Sequence, residues 1–300
     1  MIDTQESLTA KLCSFARAYH SNHGREKIFD DYLAFDMMGA EEYEEIGQLI
    51  EHGYEPKAFN PCKRFSKEKA YREIDRYFTP IIVSRIAFAE GALHAFVKKH
   101  GRCQYVICGA GMDTFAFRND NANITIFELD HPDTEKFKQA RIRALSWNIP
   151  KNVHYVSVDF SRDNMIDALL AAGFDQKRPS FFAILGVSYY LTLPVFTETL
   201  SKIGSLSGRG NQLVFDFPDD TTFRAEGAER PKGLAQITEK LGEEMLHGFS
   251  MQEIRQALGC CGFQIYEHAD PEEIENKFFK GRTDSLSAYE NIHYILAEKE

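Results

Sequence analysis

A doubly wound α/β fold is what the sequence predicts, and three observations carry that expectation. Short apolar, β-rich runs at 104–108, 124–128, 153–158, 181–185 and 211–217 alternate with helical patterns at 133–146, 162–172 and 193–206. Such alternation implies parallel pairing inside a three-layer sandwich. The first run, Tyr105-Val106-Ile107-Cys108, ends in Gly109-Ala110-Gly111, and the second, Ile124-Thr125-Ile126-Phe127, ends at Glu128 and Asp130. Glycines there let the backbone approach a ligand. An acid at the end of the next strand accepts hydrogen bonds from ribose hydroxyls. An adenosine-containing cofactor is therefore expected at this edge of the sheet.

Taken in order, residues 5–100 read as helical almost throughout. Ser7 to Tyr19 carries Leu8, Leu12, Phe15, Ala16 and Tyr19 at helical spacing. Asp30–Met38 and Glu41–Glu51 continue in that mode, and Lys67–His100 holds one or two helices broken at Thr79-Pro80. A helical leader of this kind suggests a cap over the ligand edge. After the alternating core, 218–248 breaks the rhythm and reads as an insertion of mixed helix and loop. Residues 250–258 form a helix capped by Ser250 with Glu253 three positions on. Gly262–Glu267 and Asn291–Ala297 read as the last two strands, a hairpin-like pair that ends the sheet.

Bulk properties narrow the function classes. The chain of 300 residues, with 43% hydrophobic and 13% aromatic content, has ample core material. Its formal net charge of −10 argues against a broad nucleic-acid footprint, which needs clustered Lys and Arg. The longest strongly apolar segment is taken as Phe181–Leu185 with its extension to Leu191, far short of the ~20 residues of a membrane span. The start, Met1 to Glu6, lacks the basic and apolar parts of a signal peptide. Cys13, Cys62, Cys103, Cys108, Cys260 and Cys261 show no zinc spacing and read as buried thiols in a reducing compartment. A cytoplasmic protein is expected, with no nucleic-acid or membrane partner; nothing in the chain sets an oligomeric state.

Several residues stand out chemically. The third glycine of a dinucleotide fingerprint would fall at Thr114, so the pattern weighs against NAD. One of Glu128 and Asp130 should face the ribose while the other caps the helix near Pro132. Asp159 follows the third strand, where it either accepts from an adenine amino group with Phe160 packed on the ring, or caps a helix after Ser161. Tyr189 and Tyr190 either line the substrate pocket or are core aromatics. Arg85 and Arg17 lie in apolar helical stretches, and a buried arginine needs an anionic partner; for Arg17 a surface ion pair is the alternative. His131, His154 and His247 are the available bases if the reaction needs one.

The stretches GAGMDTFAFR, FELDHP and LGVSYYLT resemble the leucine carboxyl methyltransferase-like class of S-adenosylmethionine-dependent methyltransferases, over roughly 10–215. That resemblance implies a Rossmann-like class I methyltransferase fold, with a mostly parallel seven-stranded sheet in one structural domain. A cap region would span 1–100 and the core 101–300, with the lid insertion at about 218–248. It implies S-adenosyl-L-methionine as cofactor, with Gly109, Ala110 and Gly111 at its methionine part and Leu185 beside it. Asp130 or Glu128 would hold the ribose, Asp159 with Phe160 the adenine, and Arg85 the methionine carboxylate. Two positions depart from the family's pattern: Phe115 replaces an arginine, and Leu185 stands where many members carry a glutamate.

The function expected is O-methylation of a carboxylate or hydroxyl on a small-molecule or peptidic acceptor, lodged between the helical leader and the insertion. A catalytically silent binding protein is the alternative from another class. An NAD-dependent oxidoreductase is the less favoured enzyme.

Overall fold

The computed structural model describes residues 7–55, 60, 62–160 and 162–300. The amino-terminal stretch read above for a signal peptide, and Ser161, lie outside them. Seven strands form one sheet: β1 (Cys103–Cys108), β2 (Ile124–Asp130), β3 (Val153–Ser157), β4 (Ser180–Ile184), β5 (Gln212–Pro218), β6 (Phe263–Ala269) and β7 (Ile292–Lys299). Their spatial order is β3-β2-β1-β4-β5-β7-β6. The pairs among β1 to β5 are parallel, whereas β7 runs antiparallel to both β5 and β6. The sheet is thus mixed, with its parallel part where the alternation placed it. β1, β4 and β5 are buried along their whole length, as strands covered on both faces must be.

This order fixes where a ligand goes. From β1 the chain moves outward to β2 and β3, then returns to place β4 on the other side of β1. The connections after β1 and β4 therefore diverge and leave a crevice beyond their carboxyl ends, the usual ligand site of open α/β sheets.

The helices are α1 (Leu8–His23), α2 (Ala34–Met38), α3 (Ala40–Glu51), α4 (Lys67–Tyr77), α5 (Thr79–His100), α6 (Phe115–Arg118), α7 (Pro132–Ala144), α8 (Met165–Ala171), α9 (Leu193–Leu206), α10 (Glu229–Lys240), α11 (Met251–Cys260) and α12 (Pro271–Ile274). Pro80 lies in the first turn of α5, where a missing N–H costs nothing, so the expected break separates α4 from α5. Ser250 and Glu253 form the predicted capping box of α11. The insertion folds around α10, which packs against α4 of the cap.

Three expectations change. α5 spans 22 residues and is long and apolar enough to cross a membrane, so the longest apolar segment is not Phe181–Leu191. In this fold α5 packs on β1, β4, β5 and β7. One hydrophobic core joins it to α1, α3, β1 and β4 across residue 100. The last two strands do pair antiparallel at the edge of the sheet, as expected, with β7 lying between β5 and β6; their connection is no tight turn but contains α12 and a π-helical turn, Glu275–Phe279. The helix near Pro132 is capped by the His131 ring, which accepts from Asp133 N, rather than by Glu128 or Asp130. Finally, all six cysteines are free thiols, but only Cys103 and Cys108 are buried; Cys62 and Cys260 are exposed.

Candidate active site

Beyond β1 the chain turns sharply through Gly109 (φ +76) and Gly111 (φ +50), left-handed conformations that other residues adopt only with strain. The amides of Gly109 and Ala110 both donate to the Leu129 carbonyl at 2.9 and 3.1 Å, which ties the loop to the end of β2. A β-carbon added at Gly111 would enter open space, so the backbone there lies bare toward the crevice. Asp130 closes the loop from the other side: its carboxylate accepts from Gly111 N at 2.5 Å and from His131 N at 2.7 Å.

The opposite wall centres on Asp216, fully buried within β5. Its carboxylate accepts from Gly186 N at 2.7 Å, from the Tyr189 hydroxyl at 2.8 Å and from Arg85 Nη1 at 3.3 Å. Burial, the largest single influence, would weaken the guanidinium's hold on its proton, but Asp216 together with Cys13, Tyr189 and Tyr294 outweighs it and strengthens that hold. Gly186 (φ +71) leaves the space that Arg85 fills, because a β-carbon there would lie 2.6 Å from Nη2. Arg85 Nε is buried with no hydrogen-bond partner among the described residues. Sequence reasoning missed Asp216, although one charge inside Leu213-Val214-Phe215-Asp216-Phe217 was signal enough for a buried acid awaiting a cation.

A second buried network locks the cap to the loop. Arg17 donates to Asp31 at 2.6 Å and to the Met112 carbonyl at 2.9 Å. Asp31 also accepts from Thr114 Oγ1 at 2.5 Å and pairs with Arg118 at 3.4 Å. Arg118 in turn meets Glu90 of α5 at 2.6 Å. Arg17 is therefore no surface ion pair but a strut between α1 and the glycine loop. Phe115, at the position where the family's pattern has arginine, is buried edge-on against Tyr105 with ring centroids 5.0 Å apart.

Between these walls lies a cavity of about 290 Å³. Of the residues expected at the site it brings together Arg85, Gly109, Ala110, Gly111, Leu185, Tyr189 and Tyr190, with Arg17 beside them. Ile81, Ile82, Leu234 and Met245 supply an apolar end, and Thr9, Cys13 and Glu243 border it. Burial pushes the Cys13 thiol up, so it stays protonated despite the guanidinium nearby. Tyr189 is core and site at once, while the Tyr190 hydroxyl, pushed up to about 12 by burial, reaches Thr9 Oγ1 at 3.4 Å.

Other expected residues stand outside the cavity lining, Asp130 among them, at the carboxyl end of β2. Glu128 is a correction: it does not line the cavity but is sealed against Lys138 of α7 at 2.5 Å. It shares a face with Asp130, two residues on, and lies one pleat deeper inside the sheet. Burial pushes its carboxyl up to about 7, against the pull of Lys138. Asp159 and Phe160 stand past the end of β3, outside the cavity lining; Phe160 is 45% exposed. His131 caps α7, His154 stacks on Phe127, and His247 is exposed; none of them borders the cavity.

The arrangement fits the expected cofactor. Arg85 has a buried donor to spare for a carboxylate, Gly111 leaves bare backbone beside it, and Asp130 offers an acceptor at the strand end. Comparison with known proteins agrees. The family model described as leucine carboxyl methyltransferase matches residues 10–204. A Bacillus subtilis (strain 168) protein named as an S-adenosyl-L-methionine-dependent methyltransferase, YktD, is 36% identical over 306 residues, covering 100% of both chains. A Mycobacterium marinum protein similarly named is 28% identical, covering 74% of this chain and 70% of its own. Among solved structures, a methyltransferase from Thermobifida fusca superposes with a TM-score of 0.56 at 15% identity, covering 86% of this chain and 95% of that one. A DUF574 protein from Streptomyces avermitilis gives 0.56 at 12% identity, covering 85% and 97%. Those two share the fold. The family model and the full-length relative together place this chain in the leucine carboxyl methyltransferase family.

Proposed function

We propose that this protein transfers the methyl group of S-adenosyl-L-methionine to an oxygen of a small or peptidic acceptor, with a carboxylate as the favoured oxygen. The donor follows from family membership and from the relatives' names. One observation supports the carboxylate: among the described residues bordering the cavity there is no histidine or lysine to act as base. Its two carboxylates are already engaged, Asp113 by Phe115 N and Glu243 by Ser7 and Thr9. A carboxylate is ionised at neutral pH and needs no base.

When bound, the cofactor supplies an electrophilic methyl on a sulfonium. Arg85 would hold its carboxylate, the Gly109–Gly111 backbone its methionine chain and Asp130 the ribose. Asp159 and Phe160, next along the strand ends, would close over the adenine. The apolar end formed by Ile81, Ile82, Leu234 and Met245 would seat the body of the acceptor, with Tyr189 and Tyr190 beside the reacting oxygen. Holding the two reactants in line can remove ~7–11 kcal/mol of barrier with no covalent help from the protein. The free thiols fit a reducing compartment, and we place the reaction in the cytoplasm.

A hydroxyl acceptor is the second reading, favoured by the chain of contacts from Tyr190 through Thr9 to Glu243, which could take up a proton. The two readings separate on the product and on pH. A methyl ester releases labelled methanol in alkali, and its formation should be level from about pH 6 to 9, because the acceptor stays ionised. An alkali-stable product, with a rate rising as pH rises, would replace the carboxylate by the hydroxyl.

A further inference from the structure

We propose that Glu243 is a positioning residue that gates the cavity: it holds the first turn of α1 over the acceptor end, and its release opens the passage for ligands. The inference rests on the cavity being the methyltransferase site. Glu243 stands in the insertion just after α10, and its carboxylate accepts from Ser7 Oγ at 2.7 Å, from Thr9 N at 3.3 Å and from Thr9 Oγ1. It thereby caps the start of α1 from more than 230 positions away in sequence, where the positive end of the helix dipole favours an anion. Thr9 Oγ1 also takes the 3.4 Å contact from Tyr190, so the same latch sets the cavity wall.

Two further observations make this seam the movable one. The two ends of α1 are held differently: Arg17 is buried in the Asp31 network, whereas Ser7 is exposed and its latch to Glu243 is partly open to water. On the insertion side α10 packs closely on α4, where a β-carbon at Gly233 would meet the Tyr77 ring at 2.8 Å. The chain beyond α10 turns at Gly242 (φ +78), exposed and with open space around it. The backbone of this segment is held, with Glu243 N donating to Thr238 O and Leu246 N to Tyr189 O, both at 2.9 Å, so the part that can release is the Glu243 side-chain latch on the first turn of α1.

The test uses S-adenosylhomocysteine as probe, in stopped flow on the full chain with Glu243→Ala and Glu243→Gln. A gate predicts that association and dissociation rates both rise, about fivefold in Glu243→Ala and less in Glu243→Gln, which keeps an acceptor but loses the charge. The dissociation constant should change less than about twofold, since opening adds to both rates alike. Hydrogen exchange at amides 10–14 should quicken, while the helix around Arg17 keeps its protection. A rise in the dissociation rate alone, with affinity falling in proportion, would make Glu243 a plain support of the bound ligand and overturn the gate. Unchanged rates in both variants would overturn it as well. Failure of the unaltered protein to bind the probe would refute the cofactor reading itself, and the gate with it.

Discussion

The two halves of the cavity are built by different means. The half we assign to the cofactor is made at the carboxyl ends of β1, β4 and β5, and its charged residues are buried anchors: Asp216 holds Arg85, Gly186 and Tyr189, and Asp31 holds Arg17, Thr114 and Arg118. The half we assign to the acceptor is assembled from the first turn of α1 and the insertion around α10, and is joined by half-exposed polar contacts at Glu243. A methyltransferase needs the same donor geometry in every turnover but must admit and release its acceptor. Buried charge networks suit the first demand, since removing one partner strands the other. Contacts open to water suit the second, since breaking them costs little.

The contrast breaks most visibly at Arg85. Arg85→Ala should abolish measurable cofactor binding, a loss of more than about 100-fold, and should lower stability by about 3–5 kcal/mol because Asp216 is left buried and unpaired. Arg85→Lys keeps the charge and should recover most of the melting temperature, but little of the binding, because an ammonium lacks the guanidinium's fork. Calorimetry and thermal unfolding on both variants would separate the two effects. Full binding by either one would remove Arg85 from the cofactor site.

A smaller effect is expected at the strut between cap and loop. Asp31→Asn leaves Arg17 and Arg118 without their shared anion, so the melting temperature and the cofactor affinity should fall together, the latter about tenfold. If stability falls while affinity holds, the network braces the cap and does nothing for the loop. Phe160→Ala should do least. Losing one exposed ring from the adenine's face removes about 0.5–1.5 kcal/mol, or roughly two- to tenfold in affinity, with no change in melting temperature. Unchanged affinity would leave the adenine to other residues.

The same division explains what could be read from the chain itself. The parallel core was legible because burial on both faces forces continuous apolar runs, and Gly109 and Gly111 announce a turn that side chains strain to make. Asp130 was legible with them, as an acid at a strand end. Glu128 misled because sequence shows two carboxylates near a strand end, but not the lysine of α7 that claims one of them. β7 inserting beside β5 was hidden too, since a strand's alternation names its faces and not its neighbours. Asp31 and Glu243 carried no signal at all: each matters through partners distant in sequence, and in a single chain each reads as one more solvated acid.

The central claim is that this crevice binds S-adenosyl-L-methionine through the loop at Gly109–Gly111 and the carboxylate of Asp130. Calorimetry with S-adenosylmethionine and S-adenosylhomocysteine tests it most directly, with NAD(H) as control and Asp130→Ala beside the unaltered chain. The account predicts micromolar binding of the first two, at least about tenfold weaker in the variant because the charged acceptor of the ribose hydroxyls is lost, and none for NAD(H). Absence of binding, a preference for NAD(H), or equal affinity in Asp130→Ala would contradict it.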